Sequence, residues 1–395
     1  MNKVLINLSA SLTYALVQWL IITIISREMS VSDAGIYAYY LAIFSPLAIL
    51  CSLGIRNNIA TDINKDYLDK EYKSLRNVGL VVYFSVFLIL FFFFNKSSFI
   101  LFSIFLFKLI DLISELTYGS WIRAGKTNLY GISRLMKSAI TLLVMAICLI
   151  SLNYYDQLIY VYFFISLIVI ILFDNRMKIV ASKEDGDFIG KGVKNLFLFS
   201  LPLIFSSFIV SLNVGVPRFF LSSVSMDAVA IYTMLTYFGS IAIMPLMSAY
   251  PVYMSTFSNK SLDRRKLLKK ITFLTILYSL GYLVFILIFC PLIMEYIYKI
   301  TDFTMQEVLL SGIFGALQIL LVWQNFLITC ERKFKVLFKN NVLNFFLVLF
   351  FCGLLVSKYL LFGGLLAMCL ASFILIVLNF KEIKSFKFNK NESLL

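Results

Sequence analysis

The sequence predicts an all-α polytopic membrane protein of about twelve transmembrane helices, arranged as two parallel six-helix lobes around a central cavity. Three observations predict it. Of 395 residues 61% are apolar and only 14% charged, with a mean hydropathy of +0.91, which globular domains in water do not show. The apolar residues fall into runs long enough to cross a hydrocarbon layer about 30 Å thick, a task for about 20 residues of helix. The third observation is a resemblance between the two halves of the chain.

The runs cover approximately 4–26, 34–54, 77–94, 98–119, 135–152, 157–173, 196–216, 228–250, 271–293, 307–329, 341–357 and 360–380. Only Asn95-Lys96-Ser97 separates the third from the fourth. Small-residue cleavage signals are missing after the first run, so it reads as a retained helix. If the amino terminus is cytoplasmic, nearly all Lys and Arg in loops fall on the cytoplasmic side, and the opposite loops hold only Arg27, Lys96, Arg218, Lys299 and Lys358. This asymmetry predicts both termini in the cytoplasm. It also accounts for the formal charge of +14 without nucleic acid as a partner.

The second run opens Val31-Ser32-Asp33-Ala34-Gly35-Ile36-Tyr37 and continues to Ser45-Pro46-Leu47; the eighth opens Ser225-Met226-Asp227-Ala228-Val229-Ala230-Ile231-Tyr232 and reaches Met244-Pro245-Leu246. A basic amphipathic segment follows each, Lys65 to Arg76 and Lys260 to Lys270. The fourth and tenth runs lead into Arg123-Ala124-Gly125-Lys126 and Glu331-Arg332-Lys333. An offset of six runs preserves orientation, so the halves form parallel lobes, 1–190 and 191–395, with a substrate site expected where they face each other.

Several classes of chemistry are excluded. The chain has no His, which removes imidazole bases, His-ligated metals and Ser-His-Asp triads. It has no GxxxxGK[ST] phosphate loop, no acidic DxD-like pair on an external loop, and no loop long enough for a soluble catalytic domain. A primary pump within this chain is excluded; a separate ATPase subunit is not. The cysteines Cys51, Cys148, Cys290, Cys330, Cys352 and Cys369 are scattered without a CxxC pair and read as small apolar residues, so no metal and no cofactor is expected. A transporter, not an enzyme, is the expectation.

Charge inside the membrane is costly, so it marks function or a structural pair. The fourth run carries Lys108, Asp111 and Glu115, spaced to share one helical face, with Lys108 about 15 Å from the start of its span at 1.5 Å per residue. This face reads as lining a wet cavity, or as a structural ion pair of Lys108 with Asp111. In either reading Glu115 has no evident partner, and it is the first candidate for ion coupling, with Asp111 the second. Arg56 and Arg218 each follow a long apolar run and suit phosphate oxygens, or snorkel to headgroups. Lys108 and Arg123 complete the candidate substrate contacts; Arg123, with Lys126, also fits a topology determinant. Gln18, Asn213, Gln318, Gln324 and Asn325 read first as interhelical hydrogen-bonding groups, and second as partners for sugar hydroxyls. Pro46, Pro202, Pro245 and Pro291 supply bends.

With its length, span count, Asp-Ala-Gly-Ile-Tyr opening of the second run, Pro46 with Gly54-Ile55 downstream, and Phe-rich, His-free composition, the chain resembles Wzx-type O-antigen flippases. These form the polysaccharide-transport branch of the multidrug/oligosaccharidyl-lipid/polysaccharide superfamily. The resemblance covers essentially the whole chain through loose motifs. It implies transfer of an undecaprenyl-pyrophosphate-linked oligosaccharide repeat unit from the cytoplasmic to the periplasmic face of the bacterial inner membrane, through a cationic cavity and by alternating access. It also implies membrane lipids, a polymerase and a chain-length regulator as partners. The competing readings are a multidrug or metabolite antiporter of the same superfamily, which would favour an acidic cavity, and an O-antigen polymerase, for which a large external loop would be expected.

Overall fold

A computed structural model describes residues 2–62, 66–93, 98–151, 158, 160–177, 190–258, 264–331 and 333–384. Every element among them is helical: α1 (Asn2–Ile24), α2 (Val31–Cys51), α3 (Ile55–Thr61), α4 (Asp69–Phe93), α5 (Ser98–Arg123), α6 (Thr127–Ser151), α7 (Val161–Val169), α8 (Val193–Ser222), α9 (Met226–Ser258), α10 (Arg264–Leu292), α11 (Met305–Cys330) and α12 (Phe334–Lys384). Widened π turns extend α1 over Ile25–Met29, α7 over Ile170–Asp174 and α10 over Ile293–Ile297.

Among the described residues, nine helices are long and apolar enough to cross a membrane. Helix α5 falls outside that set because it carries Lys108, Asp111 and Glu115, and α7 because it is short. Helix α12 has length for two crossings and breaks at Leu360, where φ 50° and ψ −125° interrupt the helix. Each of the twelve expected spans therefore has a helix, and the chain is a multi-pass all-α membrane protein. Several outward faces are apolar: Val81, Phe84, Leu88 and Phe92 on α4, and Phe273, Leu277, Leu280 and Val284 on α10, are all exposed. Such faces would aggregate in water and are stable against lipid tails.

The chain forms two compact units, Met1–Gly215 and Val216–Leu395. The division falls within α8, whereas the sequence places it ahead of that helix, at 190. The junctions at Asn95-Lys96-Ser97 and 152–157, and the basic residues Lys65, Lys178, Lys183, Lys260, Arg332, Lys387 and Lys390, lie outside the described residues.

The repeated motif has a local cause. Ser30 caps α2, its hydroxyl accepting from the Asp33 N–H at 3.0 Å and donating to the Asp33 carboxylate at 2.6 Å. In the second half the Ser225 hydroxyl accepts from the Ala228 N–H at 3.0 Å at the start of α9. Both sequences thus combine a Ser cap with an Asp in the first turn, where a negative charge meets the positive end of the helix dipole.

Three glycines shape the first unit. After α2 the backbone takes left-handed conformations at Leu53 (φ 50°) and Gly54 (φ 63°), which reverses the chain into α3. Helix α3 lies on α5 where Gly119 has no side chain: a Cβ there would stand 3.0 Å from Ile59 Cβ and 3.1 Å from Arg56 Cα. Ile55, Ile59, Tyr72, Leu75, Leu116 and Leu196 then close a buried cluster beneath α3. Helix α1 lies along α6, and Gly131 abuts Ile6 and Asn7 so closely that any Cβ would collide. Above that contact the Thr13 and Ser138 hydroxyls share a hydrogen bond of 2.7 Å.

Candidate functional site

The polar interior of the first unit divides into two clusters. In the first, Arg56 Nε lies 3.5 Å from Glu115 Oε2, with the side chains 36% and 20% exposed. The cause is the packing at Gly119: Glu115 sits one turn earlier on the same face of α5, so the helix that rests on Gly119 delivers Arg56 to it. The sequence offers Glu115 no partner; the structure corrects this, because the partner comes from a short helix that is invisible as a span.

Asp111 is not held by Lys108 as an ion pair, the structural alternative for this face. Its Oδ2 accepts from Tyr14 OH at 2.8 Å and its Oδ1 from Tyr162 OH at 3.1 Å. Lys108 is partly buried and stands over the Phe107 ring, 5.5 Å from its centroid. Arg134, one turn after Tyr130 on α6, donates from Nη1 to Tyr130 OH at 3.1 Å and lies 4.5 Å over the Tyr14 ring. Arg56, Asp111, Glu115 and Arg134 are within electrostatic reach of one another, and Lys108 within reach of Asp111 and Arg134. Three cations therefore face two carboxylates.

The second cluster is closed. Lys137 Nζ donates to Asp174 Oδ2 at 2.8 Å, to Tyr118 OH at 2.9 Å and to Ser114 Oγ at 3.0 Å, so all three ammonium donors are used. The side chains of Lys137 and Asp174 are only 3% and 2% exposed. Sequence reasoning places Asp174 in a loop and misses this pair. The π turn Ile170–Asp174 carries the helix past the expected end at 173, and the lone Lys137 in an apolar span is the available signal.

The remaining candidates stand elsewhere. Arg123 Nη2 donates to Asp69 Oδ1 at 2.8 Å, tying the end of α5 to the start of α4. Arg218 belongs to the second unit, within electrostatic reach of Tyr232. The second unit also contains neutral polar links between helices. Gln318 Nε2 donates to Ser372 Oγ at 3.0 Å, Gln324 Nε2 to the Ile376 carbonyl at 3.2 Å, and Asn379 Nδ2 to Asn325 Oδ1 at 3.2 Å while its Oδ1 accepts from Asn340 at 2.8 Å. All six cysteines are free, and five are buried. Among the described residues, acidic and cysteine side chains form no group able to hold a metal ion.

No family model matches the chain. It is 24% identical over 384 residues to the capsular polysaccharide biosynthesis protein CapF of Staphylococcus aureus, covering 93% of this chain and 95% of that protein. Among solved structures it resembles an aspartate-to-asparagine mutant of the Vibrio cholerae MATE transporter VcmN, with a TM-score of 0.66 at 14% identity over 98% of this chain and 97% of that one. A MATE in complex with MaD5 gives a TM-score of 0.70 at 12% identity, covering 98% and 96%. An inward-facing multidrug resistance MATE family transporter of the MOP superfamily gives 0.63 at 12% identity, again covering 98% and 96%. Over almost its whole length, this chain has the fold of the MATE transporters.

Proposed function

We propose that the protein is a flippase of the cytoplasmic membrane, with both termini in the cytoplasm. It moves an undecaprenyl-pyrophosphate-linked oligosaccharide repeat unit to the outer face by alternating access. The observation that carries this reading is a coincidence of two end-to-end likenesses. The same chain that has a MATE fold across 98% of its length matches a capsular polysaccharide biosynthesis protein across 93% of it. A transporter fold serves glycan assembly by moving an intermediate, and the intermediate that must cross a membrane is a glycan on a lipid carrier.

The charge balance agrees with an anionic head group. Arg56, Lys108 and Arg134 outnumber Asp111 and Glu115 in the open cluster, whereas a carrier of cationic drugs would want the opposite balance. A pyrophosphate bears about two negative charges, and an inside-negative potential near 100 mV favours outward movement by about 2.3 kcal/mol per charge. The protein then has to lower the barrier, with Glu115 and Asp111 the acids available for coupling to an ion. The other reading, a multidrug antiporter, is favoured by the multidrug resistance role of a structural neighbour.

The test is the location of the lipid-linked intermediate. In cells lacking the protein the intermediate should accumulate on the cytoplasmic leaflet, protected from an impermeant glycan oxidant, and wild-type protein should restore its exposure. Equal oxidation with and without the protein would sink the flippase reading, and drug efflux from the same cells would replace it with the antiporter.

A further inference from the structure

We infer that Arg134, held by two tyrosines and kept apart from the neighbouring acid by one of them, is the anion anchor of the first unit and takes a phosphate or pyrophosphate group. As a residue for the lipid-linked substrate it rests on the flippase reading; as an anion site it stands by itself.

Three other cations of the first unit are occupied. Arg56 already has Glu115, Lys137 is saturated by Asp174 and two hydroxyls, and Arg123 has Asp69. Among the described residues no carboxylate lies within ion-pair distance of Arg134. One nitrogen of its fork donates to Tyr130 OH, which leaves Nη2 and Nε, and the side chain is only partly buried. A partly buried guanidinium without a carboxylate is costly unless water or an anion reaches it. Its planar pair of donors matches two phosphate oxygens, a geometry the Lys108 ammonium over Phe107 does not offer.

Asp111 is the acid that would otherwise neutralise Arg134, and the structure prevents it. The guanidinium lies over the face of Tyr14 at 4.5 Å, while the hydroxyl of that same ring donates to Asp111 Oδ2 at 2.8 Å. The ring is a spacer between cation and acid. Tyr162 OH holds the other carboxylate oxygen at 3.1 Å, and it packs edge-on to Tyr14 with ring centroids 5.8 Å apart. Gly131, one turn before Arg134, admits α1 and so brings Tyr14 into place. The arrangement fixes the guanidinium before the ligand arrives, which reduces the ordering cost of binding.

The test measures binding to the full-length protein in detergent with two probes, farnesyl pyrophosphate and inorganic pyrophosphate. Arg134→Gln should weaken binding about tenfold to a hundredfold, the effect of losing a charge-assisted pair of hydrogen bonds, and Arg134→Lys should lose less. Tyr14→Phe keeps the ring and frees Asp111 to turn to Arg134, so it should weaken binding severalfold, and Asp111→Asn added to it should restore affinity. That rescue is what a general loss of folding would not produce. Wild-type affinity in Arg134→Gln, with either probe, overturns the anchor while leaving the flippase reading in place. Binding of inorganic pyrophosphate through Arg134 with no preference for the prenylated probe supports the anchor and counts against the lipid-linked substrate. Failure of the wild-type protein to bind either probe overturns the anchor.

Discussion

Two ion pairs in the first unit, one joining α6 to the π turn of α7 and the other joining α3 to α5, differ in access to solvent. Lys137 and Asp174 are enclosed, their side chains 3% and 2% exposed, and every donor of the ammonium is used. Arg56 and Glu115 meet at a longer 3.5 Å, 36% and 20% exposed, with Arg134 and Asp111 nearby. An enclosed pair locks helices, because separating it strands a charge in a medium of low dielectric. A half-open pair can exchange one partner for a ligand at much smaller cost. Under the flippase reading the enclosed pair is architectural and the half-open pair handles substrate or ion, although in sequence each contributes one charge, Lys137 or Glu115, to an apolar run.

The sharpest way to break that contrast is at the closed pair. Lys137→Met leaves Asp174 buried without its cation, and we expect a loss of about 3 to 5 kcal/mol, seen as a collapse of the monodisperse peak on size-exclusion chromatography. Replacing both, Lys137→Met with Asp174→Leu, should recover most of the folded protein, since paired apolar groups remove the stranded charge. Failure of Lys137→Met to destabilise would erase the distinction. Next in size is Gly119→Leu, which intrudes where α3 rests on α5. We expect about 1 to 3 kcal/mol from overpacking, together with loss of export, because Arg56 would be carried away from Glu115. Normal export by a stable Gly119→Leu protein would show that the Arg56–Glu115 pair has no part in transport.

Sequence alone reads the span plan and the charged face of α5 well, since hydrophobic run length and helical spacing are local properties. It reads the partners poorly, since they depend on three features that are not local to a span. The left-handed turn at Leu53-Gly54 creates α3, and with it the reach of Arg56 to Glu115. The π turn at Ile170–Asp174 brings Asp174 to Lys137. Tyrosines counted as apolar, Tyr14 and Tyr162, supply the hydroxyls that hold Asp111. Arg134, placed by its sequence just before an apolar run, looks like an ordinary flanking charge. Only the approach of α1 to α6 at Gly131 turns it inward to an aromatic face.

The half-open pair is sharpened by a substitution of smaller structural effect. Glu115→Gln keeps the shape and removes one charge, so the melting temperature should stay within about 2 °C while export of the glycan slows several-fold. A surface-exposed pair shows the same indifference of stability. Unchanged export would remove Glu115 from coupling, and a large fall in melting temperature would move the pair into the architectural class with Lys137 and Asp174. The reference point for both outcomes is a pair that should do nothing measurable. Lys191 Nζ lies 2.9 Å from Asp66 Oδ1 with the side chains 45% and 31% exposed. The hydrogen bond from the Lys191 ammonium to the Asp66 carboxylate, with the charge of that carboxylate, raises the lysine above its ordinary range. That leaves it charged throughout the neutral range, and the contribution of the raised group would be lost only as pH climbs through its folded value, well into the alkaline region. Two backbone N–H groups, of Gly190 and Lys191, already hold the Asp66 carbonyl at 3.2 Å each, and Glu71 accepts from the Gly192 N–H at 2.8 Å. The segment is therefore tied down without the side chain, and Lys191→Gln should leave both melting temperature and export unchanged at neutral pH. A measurable loss in either would mean that exposure does not separate the working ion pairs of this protein from the idle ones.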